Sequence, residues 1–236
     1  MIFDNYPFNY WVIDNFLEFD LANTLSNEFL DYNDPNWFCY NNPLEHKKTL
    51  NNWFYFPSTT YKFMSYLNGP KFLKYITKIT KIKNLYPDIG LHGAGWHIHG
   101  RGGKLNVHFD YNIHPKLELQ RKLNIIIYLT KDWDVSWGGN LEFWSHNYKD
   151  NTPKEKIKVI ENVFNRAIIF DTTQNSWHGF PHPLTCPKNV YRKSIAMYYL
   201  CEPLTNVEQR KRALYAPSEH QINDPEIIKF IKQRSQ

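Results

Sequence analysis

The pair His108 and Asp110, in the run Val107-His108-Phe109-Asp110, carries the clearest chemical signal in this chain. Alternate side chains leave a β-strand on the same face, so this imidazole and carboxylate can take adjacent corners of one cation. His178, in Trp177-His178-Gly179, offers a third donor from a second β-type run. Two imidazoles and one carboxylate on a single edge leave three coordination positions for exchangeable ligands. A structural zinc site would instead be closed by four protein donors. An H-x-D pair alone recurs by chance and a single histidine is more often a core or loop residue, so the surroundings decide. Eight of the ten histidines fall between His92 and His182, which concentrates the chemistry there.

A second signal follows His178. Arg192-Lys193-Ser194 runs directly into Ile195-Ala196-Met197-Tyr198-Tyr199, a strand too apolar for an exposed edge. Arg192 and Ser194 share one face of it. An arginine on the inward face needs an anion, because an unpaired buried charge costs several kcal/mol. A dicarboxylate ligand would supply that anion through a bidentate pair. An open two-histidine, one-carboxylate donor set beside such an anchor suits Fe(II) chemistry with O₂.

The elements that must position these residues are read from periodicity. Asp20 to Tyr32 carries Leu21, Leu25 and Phe29 at helical spacing. Thr60 to Leu67 reads as a helix stopped at Asn68-Gly69. Pro70 opens another, with Phe72, Leu73, Ile76 and Ile79 on one stripe. Residues 33–58, rich in Asn, Pro and aromatics without a period, read as a long loop. From Gly90 the period becomes two, with strands expected over 104–110, 123–130, 140–144, 167–170 and 194–200. A series of strands without intervening helices indicates a sandwich or barrel. Asp224-Pro225-Glu226 starts a last helix with Ile227, Ile228 and Ile231 as its apolar stripe. The chain therefore reads as mostly β with flanking helices. One domain over 1–236 is expected, with N-terminal helical support in 1–89, a β core in 90–203 and a C-terminal helical extension in 204–236.

The set His108-x-Asp110, His178 and Arg192-x-Ser194 resembles the signature of the Fe(II)- and 2-oxoglutarate-dependent dioxygenases, in particular their prolyl 4-hydroxylase-like branch. Tyr128-Leu129-Thr130-Lys131-Asp132-Trp133-Asp134, followed by Gly138-Gly139-Asn140-Leu141, is similar to a segment between the metal motifs of that branch. Gly102-Gly103-Lys104-Leu105 and the opening Trp11 to Leu17 fit as well, so the likeness runs to about Pro203. The resemblance implies a double-stranded β-helix, a jelly-roll or cupin-like core, with N-terminal helices packed on one sheet. It implies His108, Asp110 and His178 as iron ligands, and Arg192 as the anchor of the distal carboxylate of 2-oxoglutarate. Ser194 or the Tyr128 hydroxyl would bond the same carboxylate, and Asn124 and Ile126, on the strand face of Tyr128, would line that pocket. His97, or else His99, would stand near the iron-bound end of the co-substrate. The implied activity is a hydroxylase consuming 2-oxoglutarate and O₂ and producing succinate and CO₂, with peptidyl proline as the favoured substrate. Ascorbate dependence is implied by the family alone. Two features depart from the pattern: the spacing from His178 to Arg192, with Phe180-Pro181-His182-Pro183 and Cys186-Pro187 between them, and Arg192 where collagen-type members often carry Lys.

Composition sets the remaining bounds. The 236 residues are 42% hydrophobic and 17% aromatic, which excludes global disorder. No run of eighteen apolar residues occurs, so no membrane span is expected. The N-terminus lacks a basic region followed by an apolar stretch, and three cysteines without short spacing form no framework, so an intracellular, cytoplasmic setting is expected. Cys39, Cys186 and Cys201 read as packing thiols. The net charge of +5, with no basic cluster near the motifs, argues against nucleic acid as a partner. Arg210-Lys211-Arg212 reads as a solvated helix face. The loop 111–122 and the aromatic segment 37–56 are candidates for a lid and groove, against plain surface packing. The rival readings are a small-molecule or sugar hydroxylase on the same scaffold, a non-catalytic metal- or carbohydrate-binding jelly roll, and a nucleic-acid demethylase.

Overall fold

Strands that are apolar at odd and even positions alike must be covered on both faces, and three strands of this chain meet that condition. In the computed structural model, which describes residues 1–172 and 175–235, these are β8 (Gln120–Tyr128), β11 (Ala167–Asp171) and β13 (Arg192–Cys201). One face of β8 and β13 sends Leu123, Ile125, Ile127, Ile195, Met197 and Tyr199 against the helices. The opposite face carries Asn124, Ile126, Arg192, Ser194 and Ala196 to a central cavity, while Tyr128, Ile168 and Phe170 fill a second core. Each fully buried aliphatic side chain contributes about 1.5–3 kcal/mol.

The other strands are β1 (Ile2–Asp4), β2 (Tyr10–Ile13), β3 (Phe38–Asn42), β4 (Glu45–Leu50), β5 (Tyr86–Pro87), β6 (Gly95–His99), β7 (Lys104–Phe109), β9 (Leu141–Asn147), β10 (Thr152–Ile160), β12 (His178–Phe180) and β14 (Leu214–Tyr215). All join one antiparallel sheet along the path β1-β2-β11-β8-β13-β6-β4-β7-β12-β9-β10, with β14 on β7, β3 on β4 and β5 on β13. The sheet curls into the jelly roll expected from the sequence, and β7-β12-β9-β10 faces the rest. Helices α1 (Phe19–Asn27), α2 (Ser58–Leu67) and α3 (Pro70–Thr80) cover the outer face of β8 and β13 through Leu25, Met64, Phe72 and Ile76. Helix α4 (Pro225–Ser235) begins where expected, with Asp224 Oδ1 accepting from the N–H groups of Glu226 and Ile227. That side-chain bond satisfies amides a helix start leaves orphaned.

Several expectations need correction. Residues 33–58 are not a loop: β3 and β4 form a hairpin, its turn held by Asn42 Oδ1 accepting from Leu44 and Glu45 N–H, and Trp53–Tyr55 makes a 3-10 turn. Period two was invisible there because the middle of β4 is half-buried on both faces beside a cavity. Strand β10 was missed for a related reason, since it is largely exposed, rich in Lys and Glu, and interrupted by bulges. Arg210 is not on a helix; it is buried, donates to Asn112 Oδ1 and the Arg212 carbonyl, and meets Glu208. Cys186 and Cys201 are buried thiols, whereas Cys39 is exposed. The first half of 111–122 is no free lid either, because Asn112 and Ile113 both donate to the Arg210 carbonyl and Tyr111 to His114 are buried. Among the described residues no helix is long and apolar enough to cross a membrane.

Candidate active site

Strands β7 and β12 pair so that His108 and His178 lie directly opposite one another. Gly179 permits this approach: a Cβ there would fall 2.8 Å from the carbonyl oxygens of both Leu105 and Asn106. The two imidazole centroids are 4.4 Å apart. His108 Nδ1 lies 2.9 Å from the Asn106 carbonyl, and His178 Nδ1 lies 2.8 Å from that of Ser176. Each ring therefore carries its proton on Nδ1 and presents the Nε2 lone pair, the tautomer a metal ligand needs. Asp110, one residue past β7, places Oδ1 at 3.8 Å from His108 Nε2 and Oδ2 at 3.9 Å from His178 Nε2. One donor atom from each of the three lies within 4.8 Å of the others, all buried.

The protonation states match. Burial first, then the neighbouring His178, pushes His108 down to about 3, and burial likewise lowers His178. Burial alone would raise the Asp110 carboxyl, but the Arg121 guanidinium and the two histidines outweigh it and hold the group ionised. Arg121 Nη1 is 3.2 Å from Asp110 Oδ1, while Asp110 Oδ2 has no hydrogen-bond partner among the described residues. Arg121 itself is clamped between the rings of Tyr111 and Tyr198, at 3.4 and 3.3 Å from their centroids, and donates to the His92 carbonyl. The sequence reading missed Arg121, although its signal matched that of Arg192: an arginine at the head of an apolar strand.

Arg192 is buried, and no carboxylate of the described residues stands within 4.0 Å of it. Its Nε donates to the Gly139 carbonyl at 2.8 Å, and its guanidinium lies over the rings of Phe180 and Tyr128 at 4.5 and 4.8 Å. Burial works against its charge, which leaves an anion wanting. Arg192 and the His108-Asp110-His178 trio line one cavity of about 610 Å³, together with Asn124 and Ser194. His97 and His99 also face it from β6, opposite Ser194 and Arg192 in register. His99 has neither ring nitrogen bonded, and His97 lacks a partner at Nε2. Burial, with Lys47 and Arg192 nearby, keeps His97 neutral at about 3. Tyr128 lies deeper, fully buried in the second core, its hydroxyl without a hydrogen-bond partner among the described residues. The hairpin β3–β4 supplies one wall of the cavity through Tyr40, Glu45 and Lys47.

A curled antiparallel jelly roll that holds two imidazoles, one carboxylate and an unpaired arginine in one cavity defines a non-haem iron oxygenase class of site. Residues 94–200 match the 2OG-Fe(II) oxygenase superfamily. The family uses Fe(II) and 2-oxoglutarate. Solved structures share the fold. A Pseudomonas putida prolyl-4-hydroxylase is 12% identical with a TM-score of 0.55, covering 82% of this chain and 92% of its own. A Trichoplax adhaerens prolyl hydroxylase, in complex with a hypoxia inducible factor oxygen degradation domain peptide fragment, is 17% identical with a TM-score of 0.52, covering 81% and 83%. HygX from Streptomyces hygroscopicus, with nickel, 2-oxoglutarate and hygromycin B bound, is 11% identical with a TM-score of 0.52, covering 81% and 82%. The oxygenase domain matched over 94–200 supports an enzyme over the non-catalytic jelly roll.

Proposed function

We propose that this chain is a hydroxylase in which His108, Asp110 and His178 hold Fe(II), Arg192 anchors 2-oxoglutarate, and the carbon oxidised belongs to a prolyl residue of a peptide. The observation that carries the reading is the meeting of three metal-competent donors and a buried, carboxylate-free arginine in one cavity. The donors suit the ion: both Nε2 lone pairs and Asp110 Oδ2 are left without other partners to compete. When bound, iron with 2-oxoglutarate and O₂ supplies oxygen insertion into a C–H bond, coupled to loss of CO₂ and release of succinate. The protein's own part is binding and exclusion. Arg192 pairs with the distal carboxylate, Ser194 and the Tyr128 hydroxyl offer further hydrogen bonds to it, and Asn124, His97 and Ile126 shape the walls. Burial of all three metal-facing residues keeps water from reaching the oxidising centre freely.

Proline is favoured by the resemblance of the segment 128–141 to the prolyl 4-hydroxylase-like branch and by the shared fold with prolyl hydroxylases, one of them seen with a peptide. A small-molecule or sugar oxygenase is the second reading, supported by the structural likeness to HygX, which holds hygromycin B. The test is turnover of a proline peptide library beside sugars and free amino acids, with Fe(II) and 2-oxoglutarate, read by mass spectrometry. A gain of one oxygen on proline supports the proposal; turnover confined to sugars or amino acids rejects it in favour of the second reading.

A further inference from the structure

The sequence shows no basic cluster near the metal motifs, yet the fold assembles one. Lys211 and Arg212 of the connection to β14 and Arg234 of α4 line the solvent side of the cavity that holds the trio, and Lys47 of β4 lines it further in. Glu45, a buried carboxylate in the cavity wall, is already engaged, 3.1 Å from Lys47 and 2.8 Å from Arg234. Lys211 meets only the exposed Glu118, at 3.8 Å, and such a surface pair is worth little. Arg212 has no ion-pair partner among the described residues and is exposed. Deeper in, Asp110 is answered by Arg121, and the proposed co-substrate by Arg192. Four cations against the buried Glu45 and the exposed Glu118 leave a net positive field that a neutral prolyl ring does not use.

We infer that this rim recognises acidic residues flanking the reacting proline, so that the substrate is an acidic peptide segment. The inference rests on the hydroxylase reading above and adds the substrate's charge. Three cations at one opening, with Lys47 behind them, match one or two carboxylates. A nucleic-acid footprint would call for a longer stripe of phosphate contacts. The rim is drawn from β4, the loop before β14 and α4, so a chain crossing the mouth meets positive charge on more than one side.

The test uses the full chain with Fe(II) and 2-oxoglutarate and three matched peptide series, each with one proline flanked by Asp and Glu, by Ser and Gly, or by Lys. Hydroxylation is read as mass gain, and binding by fluorescence anisotropy on the Ni(II)-loaded protein. The expected order of kcat/KM is acidic over neutral over basic, by about tenfold or more at low salt and less at high salt. Lys211→Glu with Arg212→Glu should invert that order, while Lys211→Arg with Arg212→Lys should keep it; both positions are exposed, and thermal melts check the fold. Equal rates on all three series would overturn the rim inference and leave the hydroxylase reading standing. No modification of any peptide, with 2-oxoglutarate still decarboxylated, would overturn the peptide reading and the rim inference together. Preferential binding of a single-stranded oligonucleotide over the acidic peptide would overturn it in favour of nucleic acid.

Discussion

Arg192 Nε donates to the carbonyl oxygen of Gly139 at 2.8 Å, and a Cβ on Gly139 would lie 2.9 Å from Arg192 Cδ and 2.8 Å from Leu184 Cδ2. The glycine has φ of +78°, which side chains rarely adopt, so the backbone of the Gly138-Gly139 turn sets where the guanidinium points. Gly139→Ala should therefore act on co-substrate binding. The expected result is a rise of about tenfold or more in the KM for 2-oxoglutarate, with about 1–3 kcal/mol of lost stability from strain. Chemical denaturation and co-substrate titration measure the two; an unchanged KM would disconnect the turn from the anchor.

Arg192→Ala removes a buried guanidinium that no carboxylate of the described residues pairs, the group proposed to meet the distal carboxylate. Loss of a desolvated charge pair costs about 2–5 kcal/mol, so affinity for 2-oxoglutarate should fall about a hundredfold or more. Arg192→Lys should recover part of it, because the charge returns without the planar fork. Anaerobic titration of the Ni(II)-loaded protein, followed by tryptophan fluorescence, reads both variants. Wild-type affinity in Arg192→Ala would remove this residue from its assigned role.

His108→Ala, His178→Ala and Asp110→Asn should each weaken metal retention and abolish Fe(II)-dependent succinate formation. Ni²⁺ should inhibit the wild type by occupying the same three donors, since divalent affinity rises from Fe²⁺ to Ni²⁺. Calorimetry with Ni²⁺ reports stoichiometry directly: one ion in the wild type and none held tightly in the variants. Turnover persisting in His108→Ala would break the trio.

Arg121→Met tests the pair that holds Asp110. Without the guanidinium, a buried carboxylate is left beside two neutral imidazoles, at a cost of about 3–5 kcal/mol. The variant should regain more stability on adding Ni²⁺ than the wild type does, because the cation replaces the missing charge. Urea unfolding with and without metal measures this. Equal metal stabilisation in the two proteins would show that Arg121 does not govern the carboxylate.

Glu28 gives a pH prediction away from the site. Its carboxylate caps α2, accepting from Thr59 N–H, Thr60 N–H and the Thr60 hydroxyl at 3.2, 2.6 and 2.7 Å. Burial raises its pKa, but these hydrogen bonds outweigh it and hold the group below its ordinary value of 4.5. A depressed folded value means the contribution is complete above about 4.5 and is lost as pH falls through the folded value. Glu28→Gln should thus cost about 1 kcal/mol at neutral pH and progressively less in acid. Urea midpoints at neutral pH and near pH 3 would reveal a pH-independent difference if the charge plays no part.

Much of this was readable without coordinates, and for local reasons. His108 and Asp110 share a face because the period of a strand is two, and Arg192 declares itself by heading a fully apolar strand. Five strands, β7, β8, β9, β11 and β13, and all four helices announce themselves through hydrophobic patterns within single segments. Of what stayed hidden, β3 and β10 are mostly exposed, and β4 is half-buried through its middle. Arg121 stood in plain view but needed Tyr111 and Tyr198, from two other segments, to become intelligible as a clamp.

The sequence by itself determined the chemistry available: two imidazoles, a carboxylate and an inward arginine on strands that alternate faces. Only the tertiary structure decided the surroundings of that chemistry, because charge and shape at a cavity mouth sum over segments that are distant in the chain. Lys47, Lys211, Arg212 and Arg234 look like scattered solvated residues in one dimension, and curling the sheet brings them to the cavity of the metal trio.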